Sequence, residues 1–260
     1  MLKLKNLLSA TLLLASLFGG AAHAADAGGG VALATNDFVG ISFWLATAIM
    51  LASTVFFFAE RGDVAVKWRT SLTVAGLVTG VAFWHYLYMR GVWISTGDSP
   101  TVYRYIDWLI TVPLQIVEFY LILAAVTAVA SGLFWRLLGA SLVMLIGGFL
   151  GETGLLGVNA TVGFIVGMAG WIYIIYEVFS GEASKLSDSS GNPGGQFAFN
   201  TLRIILTAGW FIYPAGYYFG HLSGAPDWNT TNVVYNLADL INKTGFGLAI
   251  WVGAKMDSQD

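Results

Sequence analysis

The sequence predicts an all-α membrane protein, a single bundle of seven transmembrane helices. Three observations carry this. Of 260 residues, 57% are hydrophobic and only 10% charged, whereas soluble domains carry about 25% charged residues. Seven segments beyond the N-terminal region reach the roughly 20-residue length needed to cross a bilayer core. The basic residues between those segments fall almost entirely into alternate connections, the asymmetry expected of a multi-pass protein.

The chain begins as a secretory signal. Lys3 and Lys5 form a positive start, residues 7–20 a short apolar run, and Ala22-His23-Ala24 a small-x-small cleavage site. The predicted organisation is therefore a cleaved signal peptide at 1–24 and one helical unit at 25–260. The spanning segments are 37–59, 68–89, 101–123, 133–150, 158–179, 197–220 and 231–252. Their connections are short. The longest, 181–196, is rich in Ser, Gly and Asp and reads as a flexible loop. The small-xxx-small pairs Gly76/Gly80, Gly163/Gly167 and Gly216/Gly220 predict close helix packing within the bundle.

Orientation follows from charge. Arg61, Lys67, Arg69, Arg136, Lys185, Arg203 and Lys255 lie on one side, and Arg90 alone on the other. This puts the N-terminus outside and the C-terminus in the cytoplasm, in agreement with the signal. A formal net charge of -3 argues against a nucleic-acid partner. The chain has no cysteine, and His23, His85 and His221 are too scattered for a zinc site, so no metal centre is expected.

Five ionisable residues inside the segments carry the chemistry. A lysine at mid-membrane costs about 2.5–3.5 kcal/mol to insert, and so marks function; Lys243 lies in the seventh segment with Asp239 one turn before it. Lysine amines form Schiff bases with carbonyl compounds. In the third segment, Arg104, Asp107, Thr111, Gln115 and Glu118 share one helical face. At about 100° per residue, Asp107 and Glu118 return to within about 20° of one direction, about 16 Å apart along the axis. The predicted orientation places Asp107, Asp239 and Arg104 on the outer side of the lysine nitrogen and Glu118 on its inner side. Two carboxylates, one lysine and one arginine are nearly neutral as a group, which offsets burial. Carboxylates on opposite sides of one nitrogen are what a directional proton relay requires. Trp108, Trp210 and Tyr213 are candidates to line a flat ligand, and Pro214 removes a backbone hydrogen bond and loosens the sixth helix.

At three stretches the chain resembles the microbial rhodopsins, and among them the proteorhodopsins: Arg104-Tyr-Ile-Asp107-Trp-Leu-Ile-Thr111-Val-Pro, Trp210-Phe-Ile-Tyr213-Pro214 and Tyr235-Asn-Leu-Ala-Asp239-Leu-Ile-Asn-Lys243. The resemblance implies all-trans retinal bound to Lys243 as a protonated Schiff base. It further implies Asp107 as proton acceptor and primary counterion, Glu118 as proton donor, Asp239 as second counterion, Arg104 as their electrostatic partner, and His85 as a hydrogen-bond partner of Asp107. Trp108, Trp210, Tyr213 and Pro214 would form the retinal pocket. Asp-Thr-Glu at 107, 111 and 118 is similar to outward proton pumps, and Gln115 to the blue-absorbing group. A homo-oligomer, pentamer or hexamer, in the bacterial inner membrane is implied, with Trp44 reaching a neighbouring protomer.

The expected function is thus a light-driven outward proton pump, with a sensory photoreceptor signalling through a membrane partner as the alternative. No nucleophile–base pair or phosphate loop suggests an enzyme. The chain lacks the glutamate pair that archaeal pumps carry at the outer ends of helices six and seven. Asp227 is the acid in that loop, and Glu152, at the outer end of the fourth segment, is a further candidate for proton release.

Overall fold

The computed structural model describes residues 33–224 and 227–258; the expected signal peptide and cleavage site lie outside the described residues. Seven long helical elements make the bundle: α1 (Phe38–Glu60), α2 (Arg69–Thr96), α3 (Thr101–Val126), α4 (Ser131–Thr153), α5 (Ala160–Phe179), a broken α6 and α7 (Trp228–Met256). Local sequence sets several starts. Asp37, Asn159 and Asp227 accept backbone N–H bonds from Gly40, Val162 and Thr230, capping α1, α5 and α7. Asn192 caps α6 by accepting from Gly195, and Pro193 follows it at the first helical position. Gly97, with φ of 71°, takes the left-handed conformation that stops α2.

Two segments differ from expectation. The second helix runs seven residues beyond 89, to Thr96. The stretch expected to be a flexible loop instead holds a short helix, Glu182–Ser189. Glu177 explains it: one carboxylate oxygen accepts the Glu182 backbone N–H that opens this helix, and the other accepts from Arg136 on α4 and from Tyr173.

Among the described residues, five helical stretches are long and apolar enough to cross a membrane, and they correspond to α1–α5. α6 is divided into Pro193–Ile204, a π-helical turn at Ile205–Gly209, Ile212–Tyr217 and a second π turn at Tyr218–Leu222. α7 is continuous, but it buries Asn232, Asn236, Asp239, Asn242 and Lys243, which lowers its hydropathy. Contacts across the bundle give helix directions. Arg104 meets Asn232, and Phe119 packs on Phe246, so α3 and α7 run the same way. On α2, His85 faces Asp107 while Tyr86 meets Asp239.

The glycine pairs pack inside the bundle, as expected. A Cβ on Gly167 would lie 3.1 Å from the Met144 carbonyl of α4, and one on Gly220 would lie 3.2 Å from the Trp228 ring of α7. The main core joins Trp68, Phe119, Phe199, Leu202, Phe246 and Ile250 below the charged centre. A second cluster, around Phe43, Met50, Ala82 and Tyr86, packs α1 on α2.

Candidate functional site

Lys243 is 3% exposed, and its Nζ donates to Asp107 Oδ2 at 2.5 Å and to Asp239 Oδ2 at 3.0 Å. The first bond spans α7 to α3; the second is an i,i+4 pair along α7. Both carboxylates are buried as well. A buried ammonium is tolerable only with such partners, and removal of either would leave an uncompensated charge.

The two acids are held differently. Asp239 also accepts from Tyr86 at 2.9 Å and Tyr213 at 2.6 Å, with Trp108 Nε1 at 3.4 Å from both oxygens. Its oxygens are saturated with donors. Asp107 Oδ1 has no hydrogen-bond partner. His85 Nδ1 stands 3.9 Å from that oxygen and 3.0 Å from the Val81 carbonyl, so the imidazole acts on Asp107 through space. The carboxylate free to change its bonding is therefore Asp107. Thr111 donates back to the Asp107 carbonyl at 3.0 Å, fixing its own side chain on the shared face.

Arg104 makes its hydrogen bonds to asparagines of α7. Its Nη2 donates to Asn232 and Asn236, both at 2.7 Å, and its guanidinium lies 5.5 Å from the Tyr235 ring. Its influence on Asp239 is Coulombic, without a hydrogen bond. Asn236 is itself braced by donating to Ser42 on α1.

Glu118 lies apart from this centre. It is 1% exposed, and neither carboxylate oxygen has a hydrogen-bond partner; the Ser71 hydroxyl of α2 is the polar group acting on it. Of nine buried side-chain N and O atoms without partners among the described residues, six belong to Arg104, Asp107, Gln115 and Glu118. Such atoms are rare in native interiors. Here they line one face of α3.

An apolar cavity opens beside Lys243 and Asp239, walled by Trp108, Gln115, Trp210 and Pro214. Trp108 and Tyr213 meet edge to face at 5.2 Å. The space is apolar, flanked by flat rings, and carries one amine at its end, so these residues fit an elongated conjugated carbonyl compound. Trp44 is half-exposed on the bundle's surface, under the Arg90 guanidinium at 4.0 Å.

Sequence reasoning missed Tyr86, Asn232, Asn236, Asn242 and Trp171. The asparagines had a signal: 232, 236, 239 and 243 repeat at helical spacing, so they share a face. Trp171 donates to Leu206 O, Asn242 to Gly209 O and Tyr235 to Tyr213 O, satisfying three α6 carbonyls near its break. Tyr86 carried no pattern that distinguished it from other aromatics.

The fold and site define a class: a seven-helix membrane protein with a buried lysine paired to two carboxylates beside an apolar cavity. The family described as bacteriorhodopsin-like protein matches residues 37–256, and the chain belongs to it. It is 59% identical to a blue-light absorbing proteorhodopsin of Gamma-proteobacterium Hot 75m4, over 86% of this chain and 89% of that one. It is 56% identical to a green-light absorbing proteorhodopsin of Gamma-proteobacterium EBAC31A08, over 90% and 93%. Among solved structures it is similar to blue light-absorbing proteorhodopsin from Med12, with a TM-score of 0.74 and 63% identity over 85% of this chain and 99% of that one. It is also similar to xanthorhodopsin, described as a light-driven ion pump with dual chromophore, with a TM-score of 0.75 and 27% identity over 87% and 97%.

Proposed function

We propose that this protein is a light-driven outward proton pump that holds all-trans retinal covalently through Lys243 Nζ. One observation carries the reading most: Nζ sits between Asp107 and Asp239, while a third buried acid, Glu118, occupies the same α3 face about three turns away. Relatives named as proteorhodopsins and a structural neighbour described as a light-driven ion pump support it.

When bound, retinal supplies light absorption and an isomerisation that displaces the Nζ proton. This chain's residues do the rest. Trp108, Trp210, Tyr213 and Pro214 confine the polyene, and Gln115 presents a side-chain amide to it. Asp107 Oδ2 is the nearest acceptor for the Nζ proton, at 2.5 Å. Asp239, saturated by Tyr86, Tyr213 and Trp108, stays as the fixed counter-charge. Thr111 and His85 give Asp107 a polar surrounding. Glu118 returns a proton to Nζ from the other end of the α3 face. Acceptor and donor on opposite sides of one nitrogen make the transfer directional.

The charge asymmetry of the connections orients Arg104 and Asp107 outward and Glu118 toward the cytoplasm. The protein would then sit in the bacterial inner membrane after cleavage of residues 1–24, as a homo-oligomer, pentamer or hexamer. Illumination of cells regenerated with retinal tests this. External acidification that a protonophore abolishes is the expected result. A pigment that gives no pH change would overturn the pump and leave a photosensor.

A further inference from the structure

Arg104 and Asp107 stand one turn apart on the same face of α3, and both are buried. Each has spare bonding capacity. Among the described residues, Arg104 Nε and Nη1 and Asp107 Oδ1 are buried atoms without a hydrogen-bond partner. A buried guanidinium and a buried carboxylate within reach of each other would ordinarily pair, since each offsets the other's desolvation. These two do not. Asp107 is bonded to Lys243 through Oδ2, and Arg104 is bonded to two amides.

The amides hold Arg104 in place. Its Nη2 carries both bonds, to Asn232 Oδ1 and Asn236 Oδ1, each at 2.7 Å. On α7, Asn236 and Asn232 lie about one and two turns beyond Asp239, on the side away from Lys243. Each amide is itself oriented. Asn232 Nδ2 donates to the Trp228 carbonyl at 2.9 Å, and Asn236 Nδ2 to Ser42 Oγ on α1, also at 2.9 Å. Ser42 in turn donates to the Val39 carbonyl at 2.7 Å. With its nitrogen committed, each amide presents its oxygen to Arg104. The rings of Phe43 and Tyr235, 5.6 and 5.5 Å from the guanidinium carbon, favour the cation at the same spot.

We infer that Asn232 and Asn236 are positioning residues of the pump: they clamp the Arg104 guanidinium away from Asp107 and so leave Asp107 Oδ1 free. This rests on the pump reading above, in which Asp107 takes the Nζ proton. A guanidinium bonded to Oδ1 would favour the charged carboxylate and make it a poorer acceptor. The other charged and titratable groups acting on Asp107 are Lys243 and Asp239 from α7 and His85 and Tyr86 from α2. Neither asparagine bonds to any of these, so the clamp acts on Asp107 through Arg104 alone.

The colour of the full retinal-loaded protein, titrated with acid in the dark, tests this. When Asp107 gains a proton, the negative charge beside Nζ is lost and the absorption maximum shifts. Asn232→Leu with Asn236→Leu keeps the side-chain volume and removes both acceptors. The colour midpoint should fall by about one pH unit or more, and light-driven transfer from Nζ should slow in step. In an Arg104→Gln background the same two changes should move the midpoint no further, because no guanidinium is left to swing across. A packing defect would move it in both backgrounds. A midpoint equal to that of wild type, or an equal shift with and without Arg104, would overturn the clamp. If the double variant yields no pigment, the two single variants decide by the same comparison. A wild type whose colour titrates but which moves no proton in light would overturn the pump reading instead, and the comparison of midpoints would still judge the clamp.

Discussion

Glu118→Gln separates a proton donor from a buried polar filler. Glu118 is 1% exposed and neither oxygen makes a hydrogen bond. The amide keeps the size of the side chain and breaks no bond, so pigment yield and thermal stability should change by less than about 1 kcal/mol. The rate should change far more. A positioned acid contributes about 10²–10⁴-fold to a proton transfer, or roughly 3–5 kcal/mol of barrier. Without it, the proton must come from cytoplasmic water, past the layer of Phe119, Phe199 and Phe246, whose rings interlock at 5.3 and 6.1 Å. Recovery of the resting colour after a flash should therefore slow by at least about 10². It should also become proportional to proton concentration, roughly tenfold per pH unit. A small permeant acid should restore it. If the variant recovers at the wild-type rate with no pH slope, Glu118 is not the donor, and its burial needs another account.

Three further outcomes are expected. Gln115→Leu should shift the absorption maximum to the red, and because Gln115 Nε2 has no partner it should leave stability unchanged or raise it by up to about 1 kcal/mol; a blue shift would refute the placement of Gln115 against the polyene. Asn242→Ala should lower pigment stability by roughly 1–3 kcal/mol, since Gly209 O loses its donor, with thermal bleaching as the measurement. Asp257→Asn should destabilise by a similar amount, about 1–3 kcal/mol, at neutral pH. Burial pushes the Asp257 carboxyl up, but bonds from Lys67, Trp68 and Asn192 outweigh that and hold it below the ordinary carboxylate range. Lys67 is half-exposed, so most of the effect rests on Trp68 and Asn192. A group with a depressed folded pKa contributes stability above its unfolded value, about 3.9, and loses it as pH falls through the folded one. The gap between Asp257→Asn and wild type should thus be full at neutral pH and close in strong acid. An equal gap at both ends would refute it.

The charged centre was legible because intramembrane charges are few. Lys243 and Asp239 declared themselves by spacing alone, and Asp107 by sharing a face with Arg104. What was not legible depends on which partner a side chain selects in three dimensions. Nothing in spacing says that Arg104 meets Asn232 and Asn236 instead of the carboxylates, since those bonds cross 128 and 132 residues. Nor does spacing tell Asp239, which is saturated, from Asp107, which keeps one oxygen free. The helix at Glu182–Ser189 escaped because its Ser/Asp composition reads as loop, and its start depends on the Glu177 carboxylate five residues away.

The helices that fall short of a clean apolar span, α6 and α7, both line the cavity around Lys243. α7 loses hydropathy through the asparagines, Asp239 and Lys243 that face inward. α6 loses its regular backbone through π turns and Pro214, which in lipid is permitted only where other groups satisfy the freed carbonyls. Trp171, Asn242 and Tyr235 supply those donors, and the last two come from α7. The polar content of α7 thus serves two ends: it charges the site, and it holds α6 in a broken form. A continuous α6 would have no need of Asn242. A broken one is bonded, at Gly209 O and Tyr213 O, to the same helix that carries Lys243.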